Sequence, residues 1–267
     1  MENVLVFGGT GKTGRRVADV LRSQGRAVRT AARTGADVRV ELSAPGTWGP
    51  ALDGVAAAYL VEPDLQSVRL PGFVAAATQA GVERFVLLSA PGAVHDRHPL
   101  FAVEAAVRAS GAAWTILRPG WLAQNFTETN WHGHLTTGEL ALPTGDGRTA
   151  FVDAEDIAEV AAAALTSDRH DGEQYALTGP RALSFGEAVD LVAAATGLRA
   201  RHVDVTPGEY VERQVTGGVP RPVAEILAGV FTAIRDGRDQ GVSDGVERAL
   251  GRPPRPFEEY VSRLRTG

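Results

Sequence analysis

The chain has 267 residues, of which 44% are hydrophobic and 22% are charged, and its net charge is −5. This length suits one large domain or a domain with a smaller companion, and the composition is that of an ordinary globular protein. The acidic balance gives no general electrostatic reason to bind nucleic acid or an anionic membrane. Because the sequence has no cysteine, disulfides, thiolate metal sites and thiol nucleophiles are excluded.

The amino-terminus shows no targeting signal. The apolar run from Val4 to Phe7 stops at Gly8, which is too short for a signal-peptide core or a membrane span. A cytoplasmic location is therefore expected.

Short apolar runs alternate with helical patterns as far as Pro119. The predicted strands are 3–7, 27–31, 37–42, 56–61, 84–89 and 114–117, and the predicted helices are 12–24, 70–80 and 99–109. This alternation predicts right-handed crossovers and a parallel sheet that is covered on both faces.

The pattern changes after Pro119. Residues 120–150 are rich in Trp, Gly, Thr and Asn, which predicts loops with at most a short hairpin. Ser184 with Glu187, and Thr206 with Glu209, have the spacing of capping boxes that open helices. The remaining predictions are a strand at 174–177 and helices at 153–165, 184–195, 222–235 and 256–264. The end of the chain is expected to form a small, mainly helical cap over the open edge of the sheet.

Glycines 8, 11 and 14 follow the first strand and open the first helix. Gly8 allows a tight turn, Gly11 allows the backbone to approach a pyrophosphate, and Gly14 allows close packing of helix on strand. The helix amino-terminus then presents N–H groups and a partial positive charge to phosphates. The pattern predicts a Rossmann-like, doubly wound parallel sheet of the α/β class, with an NAD(P)-binding domain at 1–180 and a substrate-covering subdomain at 181–267.

The end of the second strand bears on the choice of cofactor. NAD sites usually place a carboxylate there, whereas NADP sites place an arginine. Here Arg33 follows the strand, with no carboxylate before Asp37. Arg33 therefore favours NADP(H), with NAD(H) as the second option, and a solvated surface arginine is the alternative interpretation.

Four segments resemble one family of proteins. They are GGTGKTGRRV from Gly8, WTILRPGWLAQNF from Trp114, FVDAEDIAEVAAAAL from Phe151 and YALTGPRALSFGEAV from Tyr175. The chain resembles the NmrA-like proteins, which are atypical short-chain dehydrogenase/reductases. Its opening looks closest to the ergot-alkaloid-type reductases and related bacterial tailoring enzymes. The resemblance implies cofactor contacts at Thr10, Gly11, Lys12, Thr13, Arg33, Val61, Pro63, Ser89 and Pro119.

The chain lacks the residues that usually serve as the catalytic acid in the superfamily. A Tyr-x-x-x-Lys pair normally protonates the substrate carbonyl, but the corresponding helix starts at His98 and contains neither residue. Lys12 lies in the glycine loop, so no lysine remains for an isoflavone-type mechanism. His98 and Ser89 are the candidate catalytic residues, and His95 and His98 flank the expected substrate site. Two ordinary loop histidines are the alternative interpretation.

An irregular segment follows the sixth strand. Trp121, Asn125, Phe126 and Trp131 would suit a flat hydrophobic substrate, although ordinary core packing explains them equally well. No metal site is expected, since His132 and His134 lack a sensibly spaced third ligand. Asp153 and Asp156 begin a helix and are expected to act there as capping residues rather than as a catalytic pair.

The leading hypothesis is an NADP(H)-dependent reductase of a small hydrophobic molecule, either quinone-like and polycyclic aromatic or an alkaloid imine. A specialised-metabolite pathway such as antibiotic biosynthesis is expected from the family resemblance alone. The alternative is a non-catalytic NADP(H)-sensing regulator that binds a partner protein. The sequence leaves the oligomeric state open.

Overall fold

The computed structural model describes residues 3–239 and 241–264. Its strands are β1 (Asn3–Phe7), β2 (Val28–Ala32), β3 (Val38–Arg39), β4 (Val55–Val61), β5 (Arg84–Leu88), β6 (Ala113–Pro119), β7 (Glu139–Leu142), β8 (Arg148–Thr149), β9 (Glu173–Leu177), β10 (Leu183–Ser184) and β11 (Arg201–Asp204). Its helices are α1 (Lys12–Ser23), α2 (Gly49–Leu52), α3 (Leu70–Gln79), α4 (Pro99–Ala109), α5 (Asn125–Glu128), α6 (Asn130–Thr136), α7 (Ala154–Thr166), α8 (Phe185–Thr196), α9 (Pro207–Thr216), α10 (Arg221–Arg235), α11 (Gly245–Leu250) and α12 (Phe257–Arg263). In the described part of the chain, every helix is too short or too polar to cross a membrane.

Seven strands form one sheet in the order β3-β2-β1-β4-β5-β6-β9, and every pairing in it is parallel. The order reverses between β1 and β4, and open α/β sheets bind ligands beyond the carboxyl ends of the strands at such a reversal. The predicted Rossmann-like, doubly wound parallel sheet is therefore confirmed.

The two faces of this sheet are covered by different helices. Leu5 and Phe7 of β1 point to one face, where they join a cluster that includes Phe73 of α3 and Val103 of α4. Because successive strand residues alternate, Val4 and the other intervening residues point to the opposite face. There α1 and α7 pack on each other and reach β1 and β4 respectively. Both faces are thus buried, as the apolar strands predict.

Two compact units make up the chain, and neither is a single continuous stretch. The first contains Met1–Gly120, Ala154–Leu177 and Asp244–Pro253, and the second contains Trp121–Asp153, Thr178–Ser243 and Pro254–Gly267. The division therefore differs from the expected boundary between residues 180 and 181. Residues 121–153 join the second unit because their aromatic side chains lie in its core. Helix α11 joins the first because it packs on β9, where a Cβ on Gly245 would overlap the Ala176 carbonyl oxygen.

The second unit contains two small sheets. Strand β7 pairs in parallel with β11, and β8 pairs antiparallel with β10. The prediction of at most a short hairpin within residues 120–150 is therefore wrong, because both strands of this segment pair with later parts of the chain. The predicted capping boxes do form: the Ser184 hydroxyl accepts from the Glu187 N–H at 3.1 Å, and the Thr206 hydroxyl accepts from the Glu209 N–H at 3.2 Å.

Candidate functional site

The loop between β1 and α1 requires glycine at several positions. Gly8 has a φ of +74°, and the N–H of Gly11 donates to its carbonyl at 2.8 Å to close the turn. A Cβ on Gly9 would come within 2.6 Å of the Thr30 side chain, and a Cβ on Gly14 would overlap the Gly8 carbonyl oxygen. Glycine at these positions thus lets the loop turn tightly and lets α1 pack closely on β1, which is the geometry that a dinucleotide-binding loop needs.

Helix α1 presents its amino-terminus at this loop. Gly11 is the N-cap residue, and within the described residues no side chain caps the helix and no acidic residue lies in its first turn. The helix dipole therefore leaves a partial positive charge here that favours a bound phosphate.

The end of β2 carries a cation, and the nearest carboxylate is engaged by other residues. Arg33 is exposed and has no ion-pair partner among the described residues. Its loop lies against the glycine loop, since the Cβ position of Gly35 is 3.6 Å from the Thr10 methyl group. The Asp37 carboxylate accepts from both the N–H and the hydroxyl of Thr30 at 2.8 Å, and the backbone bond is the main cause of its lowered pKa. Asp37 is exposed as well, but it is bound to Thr30 and pairs with Arg22 at 3.4 Å, whereas Arg33 has no such partner within the described residues.

Four further predicted contacts lie at the same edge of the sheet. Val61 ends β4, Pro63 follows it, Ser89 follows β5 and Pro119 ends β6. The Val61 side chain is 3.6 Å from the Cβ position of Gly8, and Pro63 is exposed. Because β1, β4, β5 and β6 are parallel neighbours, their carboxyl ends meet at this edge.

A buried ion-pair network lies behind Ser89. The Ser89 hydroxyl donates to Glu104 at 2.6 Å, and Glu104 also accepts two hydrogen bonds from Arg118, at 2.8 and 2.6 Å, and one from Arg108 at 2.9 Å. Burial alone would raise the pKa of Glu104, but these hydrogen bonds lower it overall. Glu104 is therefore ionised, and the hydrogen of the Ser89 hydroxyl is directed to it rather than to a ligand.

Sequence reasoning missed this network, although a signal existed. Leu100, Val103 and Val107 form the buried face of α4, and Glu104 occupies the same face. A carboxylate in the apolar stripe of a helix indicates a buried ion pair.

The two candidate histidines differ in their surroundings. His95 is exposed, whereas His98 is half-buried and caps α4 by accepting from the Leu100 N–H at 3.2 Å through Nδ1. This assignment places the hydrogen of the neutral ring on Nε2. Burial lowers the pKa of His98, and the charge of Glu104 raises it only in part. The neutral His98 ring can thus donate a hydrogen bond from Nε2. Because its pKa is lowered, it does not readily take up a second proton.

The predicted aromatic residues belong to the core of the second unit. Phe126 is fully buried, and its ring lies 5.2 Å from that of Phe151, so core packing accounts for it. Trp131 is 8% exposed, whereas Trp121 and Asn125 are half-buried. The ring of Trp121 stacks against that of Trp131 at 5.4 Å. Trp121 and Asn125 therefore remain the predicted substrate contacts with accessible surface.

Two cavities lie within the second unit. A groove of about 580 Å³ separates α9 from α10, and no predicted site residue lines it. A smaller cavity of about 100 Å³ is lined in part by Trp131, Tyr210 and Arg213. Trp131 thus borders the smaller of these two cavities.

The two candidate carboxylates, Asp153 and Asp156, are bound to neighbouring side chains. Asp153 accepts from the Gln124 amide at 2.7 Å and pairs with Arg263, and Asp156 pairs with Arg252 at 2.7 Å. Both carboxylates therefore have side-chain partners, and their capping of α7 stays a prediction. Across residues 3–239 and 241–264, no group of three or more His, Asp or Glu side chains is placed to hold a metal ion.

Comparison with known proteins gives matches over nearly the whole chain. The sequence model of the NmrA-like family matches residues 1–261. The uncharacterized oxidoreductase YesF of Bacillus subtilis (strain 168) is 36% identical over 97% of this chain and 94% of that protein. The NAD(P)H azoreductase of Xenophilus azovorans is 32% identical over 97% and 96%. The solved triphenylmethane reductase of Citrobacter sp. complexed with NADP(H) has a TM-score of 0.74 at 24% identity, covers 99% of this chain and 100% of that one, and shows a shared fold.

Proposed function

This chain belongs to the NmrA-like family, and we propose that it is an NADPH-dependent reductase of a small, flat, hydrophobic molecule. The coarser prediction of an NAD(P)H-dependent oxidoreductase is confirmed by relatives that cover nearly its whole length. The observation that carries the proposal is the end of β2. There Arg33 is exposed beside the glycine loop, while the Asp37 carboxylate is bound to Thr30.

The first unit has the groups needed to hold such a cofactor. The glycine loop admits a pyrophosphate to the backbone, and the amino-terminus of α1 stabilises its charge. Arg33 would pair with the 2′-phosphate through two parallel charge-assisted hydrogen bonds. When bound, NADPH supplies a hydride.

The hydrogen bonds of the candidate acids favour a substrate that needs little help from a proton donor. Ser89 directs its hydrogen to Glu104, and the Nδ1 of His98 accepts from the helix backbone. An iminium ion is already cationic, and a quinone-like ring is electron-poor, so either accepts hydride without a strong acid. Trp121 and Asn125 are the proposed substrate contacts, and a specialised-metabolite pathway is proposed from the family resemblance.

A substrate panel tests the proposal. Purified protein with NADPH should oxidise the cofactor, followed at 340 nm, when quinones or cyclic imines are added, and much more slowly with simple ketones. Arg33→Ala should require more NADPH for the same rate. No oxidation across the panel, with NADPH still bound, would instead favour the sensing regulator, which the missing Tyr-x-x-x-Lys pair leaves as the second candidate.

A further inference from the structure

One buried polar atom in the first unit lacks a partner. The side chain of Tyr59, in the middle of β4, is 0% exposed. Among the buried side-chain nitrogen and oxygen atoms of the described residues, its hydroxyl oxygen is the one without a hydrogen bond. Buried hydroxyls are nearly always paired, so an unpaired one requires an explanation.

The Tyr59 hydroxyl faces the start of α1. Tyr59 lies opposite Val6 in the pairing of β1 with β4, and β1 leads directly into the glycine loop. Burial raises the pKa of Tyr59, and the hydroxyl of Thr13 counteracts this in part, so the two hydroxyls approach each other without completing a well-formed bond. The phenol is thus protonated and available as a donor.

Thr13 stands where the phosphates are expected. It lies in the first turn of α1, is 7% exposed, and its side chain makes no hydrogen bond within the described residues. Its hydroxyl has one hydrogen to donate and two lone pairs to accept with. The Thr13 hydroxyl could therefore accept a hydrogen bond from one group and donate its own hydrogen to a phosphate oxygen.

We propose that Tyr59 is a positioning residue for the cofactor site, because its hydroxyl donates to Thr13 and thereby directs the Thr13 hydrogen to the pyrophosphate. This inference rests on the proposed function only for the identity of the ligand. Chains of hydrogen bonds strengthen one another in a low-dielectric interior, so the Tyr59 bond is completed when the phosphate is bound.

Tyr59→Phe removes the hydroxyl and keeps the ring. Titration of NADPH fluorescence should show a Kd about three- to tenfold higher than in the unaltered chain, the range for one hydrogen bond. 2′-Phospho-ADP-ribose, which keeps the pyrophosphate and lacks nicotinamide, should lose the same factor. Adenosine 2′-monophosphate, which has no pyrophosphate, should bind equally well to both proteins.

Stability without ligand separates positioning from a structural role. The unfolding midpoint of Tyr59→Phe should be unchanged or higher, because an unpaired buried hydroxyl is removed. Tyr175→Phe is the matched control, since its hydroxyl bonds to Nδ1 of His170 at 2.9 Å in the same unit. That variant should unfold at a lower temperature and bind NADPH normally.

A double variant isolates the pair. Thr13→Val should weaken NADPH binding, and adding Tyr59→Phe to it should change the Kd no further. An unchanged Kd in Tyr59→Phe, an equal loss in the Thr13→Val background, or an equal loss with adenosine 2′-monophosphate would each overturn the inference. Absent turnover with intact NADPH binding would count against the proposed function alone, whereas absent NADPH binding by the unaltered chain would overturn both.

Discussion

The Ser89 hydroxyl donates a 2.6 Å hydrogen bond to the carboxylate of Glu104, which is 1% exposed. This contact joins the ligand edge of the sheet to the buried face of α4. Ser89, the predicted cofactor contact after β5, therefore has its orientation set by an ionised group behind it.

We expect Glu104→Gln to lower the free energy of unfolding by about 3 kcal/mol, because it leaves the guanidinium of Arg118, only 14% exposed, without its counter-charge. Urea denaturation measures the loss. Glu212→Gln is the control: Glu212 pairs with Arg221 on the surface, where such pairs contribute little. A similar loss in both variants would show that the buried network has no special importance.

Arg33→Ala should weaken NADPH binding by about 1.5–3 kcal/mol, the range for hydrogen bonds to a charged group, and NADH binding much less. Arg39→Ala serves as the control, because Arg39 is also exposed near this edge but pairs with Glu41 at 3.0 Å. Calorimetric titration with both cofactors gives the comparison. The assignment fails if both cofactors lose equally, or if the unaltered chain prefers NADH.

His98 should make the chain less stable in mild acid. Its pKa in the folded state is lowered by burial below its ordinary value of 6.5, so protons bind the unfolded state more readily. The contribution of neutral His98 to the free energy of unfolding is complete above pH 6.5, and it is lost as the pH falls through the pKa of the folded state. His98→Asn keeps a capping side chain and removes this titration, while His170 and His202 remain in both proteins. The unfolding free energy of the variant should therefore fall less than that of the unaltered chain between pH 7.5 and 5, and parallel profiles would contradict this.

Removing any one candidate acid should slow hydride transfer by no more than about a hundredfold, the low end for general acid catalysis. This applies to Ser89→Ala, His95→Ala and His98→Ala, because positioning of cofactor and substrate is expected to supply most of the rate. Trp121→Ala and Asn125→Ala should act mainly on substrate affinity. Pre-steady-state measurements separate these effects. A ten-thousandfold loss in one histidine variant, with affinity intact, would reveal a dedicated acid.

Features with a local cause could be predicted from the sequence. The glycine loop, the strand β1 and both capping boxes depend on residues within a few positions of each other. The pairing of β7 with β11 could not, because the alternation in Glu139–Leu142 covers only four residues and its partner lies far along the chain.

The candidate site also contains residues that the sequence predicts and contacts that it does not. Gly8 and Gly14 follow from their spacing and Arg33 from its place after the second strand, and in the structure they lie near the carboxyl ends of β1 and β2. The contacts of Glu104 with Ser89 and Arg118, and the approach of the Tyr59 hydroxyl to Thr13, arise where helices pack on strands from distant segments, so neither is visible as a motif. Phe126 is a predicted substrate contact that core packing explains, because an aromatic residue suits a substrate surface and a core equally well.

The interleaving of the two units has a consequence for synthesis on the ribosome. Trp121, Phe126 and Trp131 lie near the middle of the chain, and the helices that bury them, α8 and α10, are translated after them. Until then the nascent chain exposes an aromatic cluster, and non-local pairing of this kind slows folding and invites aggregation. Pausing or truncation of translation between residues 153 and 231 should therefore produce chains that chaperones bind.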